Sequence, residues 1–274
     1  MMKRTHPYQT SRRALRFTGP IAPLLQDIAS GGPLYVHARN RMAELASIVP
    51  LADLVVEGDD WFFPDGGANL SATSMIAVHA VELNCRTRSA MALEIATPGE
   101  PRTLSIVASP DFSDVERFTR CLNRHPAEMV ETEEYQQWRD EITHVPVMCP
   151  CCKNSADERR ANPERNPLTR IFCHAIENRR SFRCRIVSPV VGVSAWLRPG
   201  NLRLSGGFVS LMAEDGRSML EVDLGVCHLL RIERRLLDAE RFTEIQLYDS
   251  LGELHLTLAT RGWQIDEVWR KICS

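Results

Sequence analysis

An internal repeat constrains the fold of this chain more than any other feature of its sequence. In each half, three runs typical of β-strands are followed by an amphipathic helical segment. In the first half these are residues 74–81 (SMIAVHAV), 92–96 (ALEIA), 103–108 (TLSIVA) and 114–121 (DVERFTRC). In the second half they are residues 218–224 (SMLEVDL), 244–248 (EIQLY), 253–258 (ELHLTL) and 266–273 (DEVWRKIC). This repetition of one order of segments indicates tandem duplication of a single domain.

Alternating side chains within the repeat predict antiparallel sheets. Leu254, Leu256 and Leu258 recur with a period of two, as expected of a strand with one buried face. Residues 249–252 (DSLG) are typical of the turn between two antiparallel strands. We therefore predict an α+β fold made of two tandem repeats, each a large antiparallel β-sheet with flanking helices.

A connector rich in proline and cysteine separates the two repeats. Proline blocks helix interiors and cannot donate to a sheet, so we expect only one helix there. That helix is predicted from Glu131 to Thr143, where apolar side chains recur at helical spacing. The predicted division is a first repeat over 20–125, a connector over 126–167 and a second repeat over 168–274.

Composition and charge exclude several classes of protein. A formal net charge of −2 gives no overall field for holding nucleic acid, and no apolar run reaches the roughly 18–20 residues that a bilayer requires. Nine cysteines, an odd number, without an export signal predict reduced thiols in the cytoplasm. The common nucleotide-binding, hydrolase and zinc-protease motifs are absent.

Three further segments carry a resemblance to a known family. Residues 35–40 (YVHARN), 220–224 (LEVDL) and 245–252 (IQLYDSLG) are similar to that family's TRN strand, iDLR strand and LQFFDxxG hairpin. The chain thus resembles the cytoplasmic haemin-degrading and haem-trafficking proteins of Gram-negative bacteria, which are tandem repeats of one α+β domain. The family arginine at the end of the iDLR strand is missing, because Val81 and Gly225 stand at the matching positions.

The resemblance implies a haem-binding protein of haem and iron utilisation, which would traffic haem or assist its degradation. Residues 138–144 (WRDEITH) look like the family helix that ends in the axial ligand, which makes His144 the implied ligand. Any oxidative cleavage would be the chemistry of the haem. The sequence leaves open whether the protein itself catalyses a reaction.

The chemistry of haem suggests further binding residues. Haem needs an axial ligand, an apolar slot and cations for its propionates. Cys149, which precedes Pro150, could present a thiolate to ferric haem. Arginines pair with carboxylates in a bidentate manner, and Arg159, Arg160 and Arg170 are the arginines that we expect near the propionates.

The same region suggests a rival metal. Cys149, Cys151, Cys152, Cys173 and His174 provide enough soft donors for a four-coordinate zinc site. The alternative function is a non-catalytic interaction or regulatory protein that kept the duplicated scaffold, lost haem and holds a structural zinc in the connector. This alternative includes a protein partner, whereas the sequence gives no oligomeric state.

Overall fold

A computed structural model describes most of the chain and divides it into two compact units. The described residues are 9–30, 32–50, 55–57, 60–62, 68–71, 74–85, 88–111, 113–143, 148–188, 191–237, 240–262, 268 and 270. The first unit draws on residues 1–38 and 48–145, and the second on residues 39–47 and 146–274. None of the helices among the described residues is long and apolar enough to cross a membrane.

Helices and strands follow one another in the same order in both halves. Up to residue 122 they are β1 (Gln9–Phe17), α1 (Ile21–Ala29), β2 (Pro33–Arg39), β3 (Ala43–Pro50), β4 (Val55–Glu57), β5 (Asp60–Phe62), β6 (Ala68–Ser71), β7 (Ala77–Cys85), β8 (Arg88–Thr97), β9 (Glu100–Ala108) and α2 (Val115–Leu122). Then come β10 (Ala127–Glu131), α3 (Thr132–Ile142), α4 (Pro150–Ala161) and a 3-10 turn (Pro163–Arg165). The remaining elements are α5 (Pro167–Glu177), β11 (Phe182–Val187), β12 (Val191–Leu197), β13 (Pro199–Ser205), β14 (Phe208–Ala213), β15 (Ser218–Asp223), β16 (Leu229–Leu237), β17 (Glu240–Tyr248) and β18 (Leu254–Arg261).

The first unit is built on an antiparallel sheet with the strand order β10-β1-β7-β8-β9-β2. Strands β4, β5 and β6 form a smaller antiparallel meander. Alternate side chains of β2 are buried, namely Leu34, Val36 and Ala38, because successive residues of a strand face opposite sides of the sheet. Helix α2 begins at Asp114, whose carboxylate accepts the backbone N–H of Arg117 at 2.8 Å and so caps the helix.

The second unit contains two antiparallel sheets. One has the order β16-β17-β18-β11-β12, and the other has the order β3-β15-β14-β13. Strand β3 joins the second sheet by pairing with β15, where Leu45 lies opposite Leu220. Helix α5 buries an apolar face of Leu168, Ile171 and Phe172, as expected of an amphipathic helix on a core.

The order of paired strands confirms the predicted α+β fold of two tandem repeats. Strands β2, β9, β8 and β7 pair in that order in the first unit, and β11, β18, β17 and β16 do so in the second. By this order β7 is equivalent to β16, and β6 is equivalent to β15. Matching residues 74–81 to residues 218–224 was therefore wrong by one strand, because the true counterpart of β15 is only four residues long and carries little periodicity.

The connector holds more structure than its prolines predict. The predicted helix is confirmed as α3, but β10, α4 and the 3-10 turn accompany it. Pro150, Pro163 and Pro167 each stand in the first turn of a helical segment. The missing N–H of proline costs nothing there, so these prolines begin helices, whereas the sequence predicts breaks at them.

Candidate functional site

Three cysteines meet at the start of α4, and we call them the thiol cluster. Cys149 is the N-cap of α4, and its Sγ accepts the backbone N–H of Cys152 at 3.5 Å. The Sγ atoms of Cys149 and Cys151 are 2.8 Å apart, and all three Sγ atoms lie within 4.8 Å of one another. Cys149 and Cys151 are exposed, so the cluster is open to solutes.

The thiols of the cluster differ in acidity. Hydrogen bonds to its sulfur, from the Cys151 thiol first and then from the Cys152 backbone, lower the pKa of Cys149 to about 7. The pKa of Cys152 is raised to about 11, mainly by its hydrogen bond to Cys149. Burial raises the pKa of Cys184 and of Cys227 to about 12. Because the thiolate is the reactive form of cysteine, the lowered pKa favours reaction at Cys149 over Cys152, Cys184 and Cys227.

Arg159 and Arg160 anchor α4 to the loop after β15. Arg159 donates from Nε to the Leu224 carbonyl at 3.0 Å and from Nη2 to the Gly225 carbonyl at 2.8 Å. Arg160 binds the Asp223 carboxylate with Nε at 3.1 Å and Nη2 at 3.0 Å. The hydrogen bonds of these two arginines, out of the three predicted propionate partners, are therefore directed within the protein.

The side chain of Arg160 packs closely against two glycines, Gly225 and Gly207. A Cβ atom added at Gly225 would overlap the guanidinium of Arg160, and one added at Gly207 would overlap the side-chain stem of the same arginine. Gly207 also has a φ of +84°, which favours glycine. The space beside Gly225 is thus filled by a guanidinium that belongs to α4.

A separate cleft of about 410 Å³ lies along α5, and we call it the α5 cleft. It brings together Arg170, Cys173 and His174, which the sequence singled out. Leu202, Leu204 and Val268 form part of its wall. Cys173 and His174 are not members of the thiol cluster, so the five donors predicted for zinc lie in two places. His144 lies outside the described residues.

An aromatic cluster that no sequence pattern predicts packs α3 on the sheet of the first unit. The ring of His79 lies 4.5 Å from that of Trp138 and 5.0 Å from that of Tyr135. The Tyr135 hydroxyl donates to the carboxylate of Glu94, which lies opposite His79 on β8. The available signal was two polar residues, His79 and Glu94, inside otherwise apolar runs, but their helical partners are more than 40 residues away in sequence.

His79 is kept neutral by its surroundings. Burial, followed by the charges of Arg16 and Arg139, lowers its pKa to about 4. Arg139 also lies over the Tyr135 ring, with its Cζ 5.4 Å from the ring centroid. The helix that contains WRDEIT therefore rests on an uncharged imidazole.

Two of the three segments that carry the family resemblance bind each other in the second unit. Arg41, directly after YVHARN, donates to Asp249 at 2.9 Å and to Glu253 at 2.9 Å. Nε2 of His255 lies 3.0 Å from Oδ2 of Asp249, which is the same oxygen that Arg41 binds. Asn40 donates to the His255 carbonyl at 2.7 Å. We call these five residues the Asp249 network.

Three side chains of the Asp249 network resemble the ligands of a metal site, but the positive charge beside them is the guanidinium of Arg41. Asp249, Glu253 and His255 place their ligand atoms within 4.8 Å of one another. The guanidinium of Arg41 binds both carboxylates, and Asp249 also accepts the backbone N–H groups of Leu251 and Glu253. These bonds give the network a structural role, because they fix the β17–β18 turn to the segment that contains Arg41.

Comparison with known proteins finds the same fold in two solved bacterial proteins. No family model matches the sequence, and no curated protein matches it. The structure is similar to that of the haem-degrading enzyme ChuS of Escherichia coli O157:H7, with a TM-score of 0.69 and 13% identity over 95% of this chain and 86% of ChuS. It is also similar to haem-bound PhuS, a haem-binding protein from Pseudomonas aeruginosa, with a TM-score of 0.67 and 14% identity over 94% of this chain and 85% of PhuS. The likeness in fold that the sequence predicts is confirmed.

Proposed function

We propose that this protein binds haem in haem and iron utilisation, as a carrier or as an aid to haem degradation. The observation that carries the proposal is the fold shared over nearly the whole chain with ChuS, which degrades haem, and PhuS, which binds it. The cytoplasm is the proposed location, in keeping with the unpaired thiols of the described cysteines.

Cys149 is the axial ligand that the described residues support best. Its sulfur is exposed and has a pKa of about 7, so a large fraction is thiolate at neutral pH. Thiolate is an established ligand of haem iron. His144, which the family resemblance implies, is the second proposed ligand.

Arg170 is the proposed partner of a propionate. It is exposed and lies beside apolar side chains in the α5 cleft. Arg159 and Arg160 would first have to give up their bonds to the β15 loop. Since a bidentate arginine–carboxylate pair needs free N–H groups, Arg170 is the stronger candidate.

A haemin titration of the metal-free protein tests the proposal. We expect a saturable shift of the Soret band that ends at one equivalent. Cys149→Ser should abolish or displace the shifted band, whereas Cys121→Ser, which lies outside the thiol cluster, is the control and should leave it in place. If His144→Ala removes the band and Cys149→Ser does not, His144 is the ligand. A titration without saturation contradicts haem binding.

The alternative is a non-catalytic regulatory protein with zinc at the connector. The convergence of three thiols at the start of α4 favours it, because thiolates are preferred ligands of structural zinc. Elemental analysis of the protein as purified decides this point. One zinc per chain, together with a flat haemin titration, would favour the alternative over haem binding.

A further inference from the structure

The geometry of the thiol cluster points to a second chemistry that nothing about haem requires. We infer that Cys149 is a site of thiol–disulfide exchange, which reacts with a small disulfide such as oxidised glutathione and then closes a disulfide with a second thiol of the first turn of α4. The substrate class is a low-molecular-weight disulfide.

The distances within the cluster allow the bond to form. Cys151 Sγ is 2.8 Å from Cys149 Sγ, and Cys152 Sγ lies within 4.8 Å. Cys149 and Cys152 are three residues apart, and residues at that spacing face the same side of a helix. A disulfide bond measures about 2.0 Å. Rotation of the cysteine side chains, all within the first turn of α4, therefore brings Sγ of Cys151 or of Cys152 to bonding distance from Sγ of Cys149.

The helix favours attack by Cys149 over attack by the other cysteines. The sulfur of Cys149 is at the N-terminus of a 12-residue helix and accepts the Cys152 backbone N–H. Because Cys149 is exposed at this end of the helix, an incoming disulfide can reach its sulfur. Cys121, Cys184 and Cys227 are buried, which keeps small disulfides from reaching them.

The exchange is balanced in two steps. The thiolate of Cys149 attacks one sulfur of oxidised glutathione, the bond between its two sulfurs breaks, and one glutathione leaves as a thiolate. The thiolate of Cys152 or Cys151 then attacks the sulfur of Cys149 and expels the second glutathione. In total, two protein thiols give up two electrons and two protons, and one glutathione disulfide becomes two glutathione molecules.

Mass spectrometry of the full-length, metal-free protein tests this inference without haem. The protein is equilibrated in glutathione buffers of rising oxidised fraction, quenched with acid and mapped by peptides. We expect the loss of two hydrogen atoms and a disulfide that includes Cys149. Cys151→Ser and Cys152→Ser alone should each still close the disulfide, while the double variant should stop at the mixed disulfide with glutathione.

Two controls make the result specific to the folded cluster. Cys173→Ser is the matched control on α5 and should leave the reaction unchanged, and the same mapping in urea should lose the preference for Cys149. A disulfide that forms in Cys149→Ser, one that includes Cys173, or thiols that stay reduced in fully oxidised glutathione would each overturn the inference. Because the readout contains no haem, its failure is distinct from failure of the haem titration.

Discussion

At the scale of single residues, the carboxylate of Asp249 accepts hydrogen bonds from four different groups. It is 3% exposed and accepts two backbone N–H groups, the Arg41 guanidinium and the His255 ring. The hydrogen bond from His255 and those from the backbone lower its pKa even though burial opposes this. The carboxylate therefore holds the β17–β18 turn and the segment after β2 in one arrangement.

Removing this carboxylate should destabilise the protein strongly. We expect Asp249→Ala to lower the free energy of unfolding by about 3 kcal/mol, because it leaves a half-buried guanidinium and two N–H groups without their acceptor. Asp215→Ala is the matched control, since Asp215 also accepts a turn N–H but is exposed. The control should cost less than about 1 kcal/mol in urea unfolding. Equal losses in the two variants would contradict the role of the network.

His79 should make the protein less stable in mild acid. Its pKa is about 4 when folded and 6.5 ordinarily, so the unfolded chain binds the proton first as the pH falls. The free energy of unfolding is therefore unaffected by the titration of His79 above about pH 6.5, and it decreases as the pH falls from there towards 4. Between about pH 7 and about pH 5, the loss should be roughly 2 kcal/mol.

Replacing His79 by an aromatic residue that does not titrate isolates this effect. His79→Phe keeps an aromatic ring against Trp138 and Tyr135 and should flatten the dependence of unfolding free energy on pH over that interval. His228 is exposed, so His228→Phe should keep the dependence of the wild-type protein. A slope that persists in His79→Phe would assign it to other groups.

At the scale of elements, α4 is held by polar bonds. Only Ala156 of its twelve residues is buried, and its attachment to the β15 loop comes from Arg159 and Arg160. Such a helix has no apolar stripe, so periodicity cannot reveal it. The arginine contacts define where the thiol cluster sits in the second unit.

Neutralising Arg160 should weaken this attachment. Arg160→Met keeps the side-chain stem but leaves the largely buried Asp223 with one partner fewer, and we expect a loss of about 1–3 kcal/mol in unfolding free energy. Arg198→Met removes an exposed pair with Glu214 and should cost less than about 1 kcal/mol. Chemical denaturation of both variants gives the comparison. If Arg160→Met loses no more unfolding free energy than Arg198→Met, the Arg160–Asp223 pair does not stabilise the protein.

Local patterns predicted what depends on neighbours in sequence. The α3 helix and the DSLG turn followed from spacing within a few residues, as did the closeness of Cys149 to Cys152. The partners of Arg159 and Arg160 in the β15 loop lie 63–66 residues away, and no pattern in the arginines identifies them. For the same reason, the separation of Cys173 and His174 from the thiol cluster required coordinates.

At the scale of the whole molecule, a segment of the first repeat completes the second unit. Residues 39–47 pair with β15, hydrogen-bond the carbonyls of Val187 and His255 through Asn40, and supply Arg41 to Asp249. The hydroxyls of Ser47 and Ser218 also lie 2.9 Å apart. The second half of the sequence therefore does not contain all of its own fold.

A fragment of residues 146–274 should consequently fail to fold cooperatively. It would expose one edge of β15, and unpaired edges promote aggregation. We expect no cooperative urea transition by near-ultraviolet circular dichroism. Fusing residues 36–50 to this fragment through a flexible linker should restore the transition, and the same fusion with Asn40→Ala and Arg41→Ala should not. Cooperative unfolding of the unfused fragment would refute this dependence.

The position of residues 39–47 also bears on how the chain is made. Ser47 meets its partner 171 residues later, and Asn40 meets His255 215 residues later. Contacts so distant in sequence slow folding, and domains form as they leave the ribosome. During synthesis, residues 39–47 lack these partners until Ser218 and His255 have been made. Chaperones that shield nascent strands would therefore have to cover this segment through most of that interval.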